Sequence, residues 1–405
     1  MKVVKRNGSI VDFNIDKIMV AVNKATKEVK SSIDVNSIME FVIKALGSKQ
    51  TVAVEFIQDT IFDAMVSLGD TKLAREFERY RTRRAVDRER KLEKIYNDMH
   101  SIISSGSTEN SNKDSRLHGV TRDLVAGEFY RNTLSDDVPK EVFDAHCKKI
   151  IHWHDADYSR SQTNCCVFNL SDMLENGTRI LNASIEQPNS IQVATNVTMQ
   201  IMANISSVQY GGVSVANFNE TLAKYAKKNF RKNFIELYRL LGGFTKEVAE
   251  SRIEDIEKAF GAIDSGNTRL KEMFGEIFEE TVSKTDKEIY DACQLFEYQT
   301  NSILGSASQT PFSTITFNIP TSWESERIIW NYLQVRMKGL GKEGRIAIFP
   351  KISMIVVDGY NLNKGDKYYY LLKEASKCIA KTYYPDLLLY SKEDYLSGNV
   401  YARMG

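Results

Sequence analysis

The sequence predicts an α/β protein in two parts, a small β-covered helical unit followed by a longer α/β region. At the start, Asn7-Gly8 lies between β-prone residues in MKVVKRNGSIVDF, and four helical patterns follow. Residues 101–116, SIISSGSTENSNKDSR, have the polar composition of a linker. From Thr121 onward, helical stretches alternate with short β-prone runs such as STITFN and KISMIVV.

The amino-terminal elements each have a local signal. Asn7-Gly8 predicts a hairpin with a two-residue type I′ turn, because both central positions of that turn need positive φ. Asn14 or Asp16 is placed to cap the first helix. A second helix is predicted from the apolar spacing of Ile38, Val42 and Leu46, and it ends at Gly47. A third helix starts at Thr51, carries Val54, Ile57, Ile61 and Met65 at helical spacing, and ends at Gly69. A fourth helix starts at about Thr71. In the second part, residues 184–205 (SIEQPNSIQVATNVTMQIMANI) predict a helix.

Composition excludes several classes of protein. The chain has 405 residues and a formal net charge of +1, which gives no indication of a nucleic-acid partner. It has no apolar run of about 18 residues, so no membrane span is expected, and its start does not look like a signal peptide. Five irregularly spaced cysteines are too few for a disulfide framework. We therefore expect a cytoplasmic protein without membrane or nucleic-acid partners.

The stretch IIHWHDADYSRSQTNCC at 150–166 combines two histidines with adjacent cysteines. A zinc site is disfavoured, because structural zinc usually takes ligands in C-x₂-C or H-x₃-H pairs, and no C-x₂-C is present. A vicinal disulfide would be strained. Two buried structural cysteines remain an interpretation, beside a cysteine used for chemistry.

Basic residues suggest a phosphate site in the first part. Lys5, Arg6, Asn7 and Gly8 form a glycine turn whose backbone N–H groups and cations could hold phosphate oxygens, with Lys17 on the same side. The alternative is an ordinary solvated hairpin. The run RYRTRRAVDRERK at 79–91 has seven basic and two acidic residues. It is typical of a solvated helix face, a nucleic-acid patch without stacking aromatics, or a helix whose arginines complete a phosphate site.

Glycine-rich turns recur in the second part. They are SSVQYGG (206–212), GSASQTPFSTITF (305–317) and KGLGKEGRIAIFPK (338–351). Each is typical of the strand-to-loop corners at a barrel mouth, where substrates usually bind.

Taken together and in order, these motifs resemble the anaerobic (class III) ribonucleoside-triphosphate reductases. The resemblance rests on NKDSR (112–116), TRDLVAGE (121–128), IIHWHDADYS (150–159), TNCC (163–166), MLENG (173–177), IEQPNSIQVAT (185–195), QYGG (209–212), QTPFSTITF (309–317), KGLGKEG (338–344), IFPK (348–351) and YPD (384–386). It implies an ATP-cone regulatory domain at 1–95, a linker at 96–116, and at 117–405 the first part of a ten-stranded α/β barrel of the glycyl-radical reductase type.

The resemblance also implies effector contacts in the cone. Its nucleotide-contacting motif, which would take ATP or dATP, falls on Lys5, Arg6, Asn7, Gly8, Lys17 and Thr51, with Arg81 or a neighbour as a further cation. ATP would switch the enzyme on and dATP would switch it off.

For the cysteines, the resemblance implies radical chemistry. The first cysteine of Asn-Cys-Cys, Cys165, would face the ribose on the side away from a thiyl radical and protonate the departing 2′-hydroxyl. A thiol suits this step because it can deliver a proton or a hydrogen atom. His152, His154 and Asn164 would line the pocket for substrate or formate, the expected reductant, and no metal ligand is expected among these residues. Cys166 would pack into the wall.

Other parts that the family needs are expected elsewhere. In the family the thiyl cysteine follows a Met-Gly pair, and this chain ends at Gly405 in NVYARMG. The glycyl-radical loop and a four-cysteine zinc site would then lie on a C-terminal part, separated by an intron, an intein or a split gene. The expected partners are ribonucleoside triphosphates, an iron–sulfur radical SAM activase, a second copy in a homodimer and a polypeptide that carries the C-terminal part. The expected host is an anaerobic bacterium or a phage-infected cell.

Two functions follow as alternatives. The chain is part of a reductase that is inactive alone, or it is a non-catalytic nucleotide-binding regulatory subunit. A cone-containing transcriptional repressor is disfavoured because the zinc ribbon of that family is absent. A formate-lyase type of enzyme is disfavoured by the cone and TNCC.

Overall fold

A computed structural model describes residues 1–6, 8–105, 117–158, 163–209, 211–303 and 310–398. The chain forms two compact units, Met1–Ser101 and Ile102–Gly405. Several predicted positions lie outside the described residues: Asn7, the NKDSR motif, Ser159, Tyr210, Gln309 and the terminal Met404-Gly405.

The first unit is a three-stranded sheet on four helices. Its elements are β1 Lys2–Val4, β2 Ile10–Asp12, α1 Ile15–Val29, α2 Val35–Leu46, β3 Thr51–Ala53, α3 Val54–Ser67 and α4 Thr71–Ser105. The strand order is β2-β1-β3, with β2 antiparallel and β3 parallel to β1. The predicted apolar positions of α2 and α3 form the core with Val22 and Leu73, so the β-covered helical bundle is confirmed.

The hairpin turn differs from the prediction. Lys5 N–H donates to Ser9 O at 2.8 Å and Gly8 N–H donates to Lys5 O at 2.9 Å. Three residues therefore separate the hydrogen-bonded pair, and Gly8 has φ 80°. This is the pattern of a three-residue hairpin with glycine in the left-handed position. The predicted two-residue type I′ turn is wrong, although a glycine is required here.

Helix bounds correct three further predictions. Thr51 does not start a helix, because Thr51–Ala53 extends along β1 and α3 begins only at Val54. Residues 183–185 form strand β6 rather than the start of a helix, because they pair with β5. Helix α4 continues to Ser105, which places the start of the predicted linker inside a helix. Asn14 caps α1, as one of the two predicted alternatives, by accepting from the N–H groups of Asp16 and Lys17.

The second unit alternates helices and strands. Its elements are α5 His118–Thr133, α6 Lys140–Cys147, β4 Cys166–Phe168, α7 Leu170–Glu175, β5 Thr178–Ile180, β6 Ala183–Ile185, α8 Ile191–Ser206, β7 Val213–Val215, α9 Phe218–Leu241, α10 Lys246–Phe260, α11 Thr268–Met273, α12 Gly275–Ser302, β8 Ser313–Phe317, α13 Trp323–Lys338, β9 Lys351–Val357, α14 Tyr369–Thr382, β10 Asp386–Tyr390 and α15 Lys392–Leu396. Short 3₁₀ helices span Leu134–Asp136 and Ala156–Tyr158.

Five parallel strands make the central sheet, in the order β10-β9-β8-β7-β4. Strand β8, STITF, is buried along its whole length, as expected for a parallel strand covered on both faces. Helices α8, α9, α12 and α13 contribute most of the remaining core. A mixed α/β fold with a parallel sheet is consistent with the first part of an α/β barrel.

Five of the sequence motifs lie along one edge of this sheet. TNCC leads into β4, QYGG precedes β7, QTPF precedes β8, IFPK leads into β9 and YPD leads into β10. In parallel strands all of these positions belong to the amino-terminal edge. Motifs that are far apart in sequence therefore follow one another along a single edge. They lie where the chain enters the strands, so the predicted strand-to-loop position of these corners is wrong.

Candidate functional sites

A cavity of about 380 Å³ lies in the first unit between the hairpin, α1, α3 and α4. Its apolar wall includes Val3, Ile18, Ile57 and Phe77. Its polar wall is strongly basic: Lys5, Arg6, Lys17, Arg81, Arg84 and Arg88 line it, against one acid, Asp12. An apolar surface beside a cluster of cations suits a ligand with a flat ring and several phosphates.

The structure brings together four of the predicted effector residues, which are Lys5, Arg6, Lys17 and Arg81. Gly8 and Thr51 are not among the lining residues. Gly8 sets the turn that carries Lys5 and Arg6. Thr51 is an exposed residue of β3.

The sequence analysis allowed that arginines of the 79–91 run complete a phosphate site, but it did not name Arg84, Arg88, Tyr80 or Gln58 as lining residues. The missed signal was helical spacing, because Phe77, Arg81, Arg84 and Arg88 recur every three or four residues on one face of α4. Part of the basic run thus faces a cavity rather than solvent.

Two of the arginines are held by acids of α3. Arg6 Nε lies 2.5 Å from Glu55 Oε1, and its Nη2 donates to Gln58 Oε1 at 2.6 Å. Arg81 Nη1 lies 2.6 Å from Asp59 Oδ1, and this hydrogen bond raises the pKa of the Arg81 guanidinium. Asp12 pairs with Lys2 at 2.8 Å, and this hydrogen bond lowers the pKa of the Asp12 carboxyl.

The other four cations of the cavity have no ion-pair partner among the described residues. Within the described part of the chain, no carboxylate lies within ion-pairing distance of Lys5, Lys17, Arg84 or Arg88. Four positive charges therefore face the cavity without an internal counter-ion, so their charge is available to an anionic ligand.

The second site is the Asn164-Cys165 corner at the amino edge of the sheet. Cys165 is exposed and its thiol is free, as is the thiol of the partly buried Cys166. The backbone N–H of Gly212 donates to Cys165 Sγ at 3.2 Å, and Cys165 Sγ lies 3.5 Å from Asn164 Oδ1. Cys166 points to the other face, where it packs against the core. Cys165 and Cys166 are not joined by a disulfide in this structure.

Backbone pairing fixes this corner to the next strand. Gly211 N–H donates to Asn164 O at 2.6 Å, and Cys166 N–H donates to Gly212 O at 2.9 Å. Cys166 then pairs in register with Val213 as β4 and β7 begin. The corner therefore has a defined geometry on both sides of Cys165.

The predicted histidines form a separate group. The rings of His152 and His154 are 6.0 Å apart, and His146 lies 6.1 Å from His152. His154 Nδ1 is 2.8 Å from Asp155 Oδ1. Across the described ranges no hydrogen bond or ring contact joins either predicted histidine to Cys165, and no three His, Cys, Asp or Glu side chains are arranged to hold a metal ion.

Below the sheet edge, a buried ion pair anchors the IFPK corner. Arg336 pairs with Glu297, and both side chains are almost fully buried. Arg336 Nη2 also donates to Pro350 O at 2.7 Å, and Nη1 donates to Ala347 O at 3.2 Å. Tyr332 OH donates to Glu297 at 2.7 Å, and burial raises the pKa of the Tyr332 phenol. The pair thus holds the chain in place just before β9.

Comparison with known families matches both units. Residues 1–86 match the ATP cone domain, and residues 109–405 match the anaerobic ribonucleoside-triphosphate reductase family. No helix of the described chain is long and apolar enough to cross a membrane.

Individual relatives carry the same name. The anaerobic ribonucleoside-triphosphate reductase of Enterobacteria phage T4 is 38% identical over 303 residues, which is 74% of this chain and 45% of that protein. The Salmonella typhimurium protein of the same name is 32% identical over 412 residues, covering 100% of this chain and 53% of that protein. A crystal structure of the Thermotoga maritima anaerobic ribonucleotide reductase, in complex with dATP and CTP, aligns with 75% of this chain and 50% of its own at 13% identity and a TM-score of 0.41. The chain spans about half the length of the curated relatives that it matches.

Proposed function

This chain belongs to the anaerobic ribonucleoside-triphosphate reductase family and carries an ATP cone, and we propose that it supplies the regulatory domain and the proton-donating half of the active site in such a reductase. The observation that carries the proposal is the Cys165 thiol. It is free and exposed, it lies at the edge where the motif corners meet, and a backbone N–H holds it in one orientation.

Cys165 acts on the ribose as a general acid. Loss of the 2′-hydroxyl as water requires a proton at that oxygen, and the S–H of Cys165 supplies it from one face of the sugar. The radical that removes the 3′-hydrogen and the formate that supplies electrons come from outside the described residues. An exposed thiol at a fixed position meets the geometric requirement of general acid catalysis, which is hydrogen-bond reach of the group to be protonated.

Asn164, His152 and His154 complete the substrate pocket in this proposal. The Asn164 side chain adjoins the thiol, so its amide can orient a ribose hydroxyl or formate beside the proton donor. His152 and His154 are exposed and offer ring nitrogens to the same ligands. We propose that both histidines lie close to Cys165 when the substrate is bound.

The ATP cone holds ATP or dATP in the cavity of the first unit. A volume of about 380 Å³ lies within the range of small-molecule pockets. The phosphates lie against Lys5, Arg6, Lys17 and Arg81, with Asn7, Gly8 and Thr51 as further residues of the motif. Arg84 and Arg88 extend the cationic wall, and ATP favours turnover whereas dATP stops it.

The partners follow from the same assignment. A second copy forms a homodimer, an iron–sulfur radical SAM activase generates the glycyl radical, and the C-terminal part of a reductase carries that radical, the thiyl cysteine and any zinc. The radical is sensitive to oxygen, so the reaction takes place in the cytoplasm of an anaerobic bacterium or a phage-infected host.

The second candidate is a nucleotide-binding regulatory subunit without catalysis. The effector cavity favours it, because all of its lining residues lie in the first unit. In that case nucleotide binding persists but Cys165 has no role in turnover.

A reconstitution experiment separates the two candidates. The chain is mixed anaerobically with the separately expressed remainder of the phage T4 relative, an iron–sulfur radical activase and formate, and the conversion of CTP to dCTP is measured. Wild-type chain should support turnover, and Cys165→Ser should lower it by about 10²-fold or more, since a positioned general acid contributes 10²–10⁴-fold. Equal turnover with Cys165→Ser would favour the regulatory subunit.

A further inference from the structure

Gly211 lies closer to the Asn164-Cys165 corner than any side chain would allow. A methyl group built on its Cα would lie 2.7 Å from Cys165 Sγ and 3.1 Å from Asn164 O, and closer still to Asn164 Oδ1. Contacts under 3.0 Å are essentially never made by real Cβ atoms. A larger residue at 211 would therefore have to move the thiol, the amide or the backbone.

The need for glycine at 211 is one of space rather than of backbone conformation. Gly211 is not among the residues with a left-handed φ, so an alanine could adopt its backbone angles. The constraint comes instead from the close approach of two segments of the chain, because Gly211 N–H donates to Asn164 O at only 2.6 Å.

This close approach also aims a donor at sulfur. Gly212 N–H points to Cys165 Sγ at 3.2 Å, within the range of hydrogen bonds to sulfur. A backbone N–H cannot change its rotamer, so it fixes the side-chain torsion of Cys165 more firmly than a side-chain donor could.

We propose that Gly211 is a positioning residue for Cys165: its missing side chain lets the Gly212 N–H hold the thiol in the orientation that protonates the substrate. The inference rests on the proposed function for its catalytic meaning, whereas the positioning itself can be tested on the chain alone.

Thiol alkylation tests the positioning without turnover. The full chain is treated with iodoacetamide at pH 7, and the modification of each cysteine is followed by mass spectrometry. In Gly211→Ala the rate at Cys165 should fall about fivefold or more, because a methyl group 2.7 Å from the sulfur must displace the thiol from the Gly212 N–H and shield it from the reagent. The rate at the exposed Cys147 of the same molecule should not change. Gly275→Ala is the matched control, because a methyl group there meets nothing within 4 Å.

A second variant addresses misfolding. If Gly211→Ala does not fold, Gly211→Ala/Asn164→Ala removes the amide nearest to the new methyl group and keeps the contact with sulfur. The fall at Cys165 should persist in this variant. An unchanged ratio of Cys165 to Cys147 rates in a folded variant would overturn the positioning role.

In the reconstituted reductase, Gly211→Ala should lower kcat for CTP while KM stays within about twofold, as expected for loss of an interaction made in the transition state. Absence of turnover with wild-type chain would count against the proposed function and leave the alkylation result standing. Wild-type kcat in Gly211→Ala would overturn the catalytic part of the inference.

Discussion

Lys5 carries a direct residue-level prediction, because it lines the effector cavity and has no carboxylate partner among the described residues. Lys5→Ala should weaken ATP and dATP binding by roughly tenfold, since hydrogen bonds to charged groups contribute about 1.5–3 kcal/mol. Isothermal titration calorimetry on the full chain measures it. Lys44→Ala is the control, because Lys44 is exposed on α2 outside the cavity. Unchanged affinity in Lys5→Ala would contradict the role of Lys5 in the cone.

Asp70 predicts a pH dependence at the start of α4. Its carboxylate accepts from Ser31 Oγ at 2.5 Å and from Leu73 N–H at 2.8 Å, and these hydrogen bonds, that of Ser31 first, lower the pKa of Asp70 below its ordinary value of 3.8. A lowered folded-state pKa stabilises the fold above about pH 4, and the effect is lost as the pH falls through the lowered value.

Hydrogen exchange of the Leu73 and Ala74 amides measures this effect from pH 3 to 5. Asp70→Asn should reduce their protection at pH 5, and the difference from wild type should shrink as the pH falls through the lowered pKa of Asp70. Ser31→Ala should give a smaller loss with the same pH dependence, because the Leu73 hydrogen bond remains. Identical protection of wild type and Asp70→Asn at every pH would show that the charge is unimportant.

At the residue scale, more of the residues predicted for an effector site than of those predicted around Cys165 lie together in the structure. Lys5, Arg6, Lys17 and Arg81 do converge on one cavity, because a short hairpin and helical spacing hold them there. The contact of Gly211 with Cys165 could not be derived, since a clash between residues 46 positions apart depends on the pairing of β4 with β7.

Among the elements, helix α3 supplies the acids that pair with two arginines of the cavity, Glu55 with Arg6 and Asp59 with Arg81. These ion pairs compete with a phosphate for the arginines. Glu55 forms an ion pair with Arg6, and a phosphate that binds Arg6 must compete with this carboxylate. Glu55→Gln should tighten ATP binding by up to about fivefold, because a half-exposed ion pair contributes no more than about 1 kcal/mol. Calorimetry compares it with Glu40→Gln, an exposed acid of α2 away from the cavity. Weaker binding in Glu55→Gln would mean that Glu55 supports the ligand instead.

The buried Arg336–Glu297 pair predicts a large stability effect on α12 and α13. Arg336→Met should destabilise the second unit by about 3–5 kcal/mol, because it leaves the Glu297 carboxylate buried without a counter-charge. Thermal unfolding followed by circular dichroism measures this change. Arg336→Met/Glu297→Leu should recover much of the loss. A double variant as unstable as the single one would show that the backbone contacts to Ala347 and Pro350 carry the effect.

Two of the errors in element prediction share one cause, which is strand pairing. Thr51–Ala53 and Ala183–Ile185 are short segments whose neighbours have helical spacing, and each became a strand because a partner strand satisfied its backbone. Helix α2, which has an apolar repeat, was located closely, and α4 begins at the predicted Thr71 but runs further than predicted. Local sequence therefore predicts where helices form, whereas a three-residue strand forms only where a distant strand pairs with it.

For the whole molecule, one chain carries two candidate sites, one in each compact unit. The effector cavity lies in Met1–Ser101, and the Cys165 corner lies in Ile102–Gly405. Regulation requires that the occupant of the first site changes the rate at the second. Binding measurements on the cone or thiol measurements on Cys165 each test one site only.

The most direct test is the response of reconstituted turnover to effectors. Conversion of CTP to dCTP is measured with the chain, the remainder of the phage T4 relative, the activase and formate, in the presence of either ATP or dATP. We expect turnover with ATP, loss of turnover with dATP, a need for roughly tenfold higher effector concentrations in Lys5→Ala, and turnover lowered by about 10²-fold or more in Cys165→Ser. Equal rates with ATP and dATP, or wild-type turnover in Cys165→Ser, would contradict this expectation.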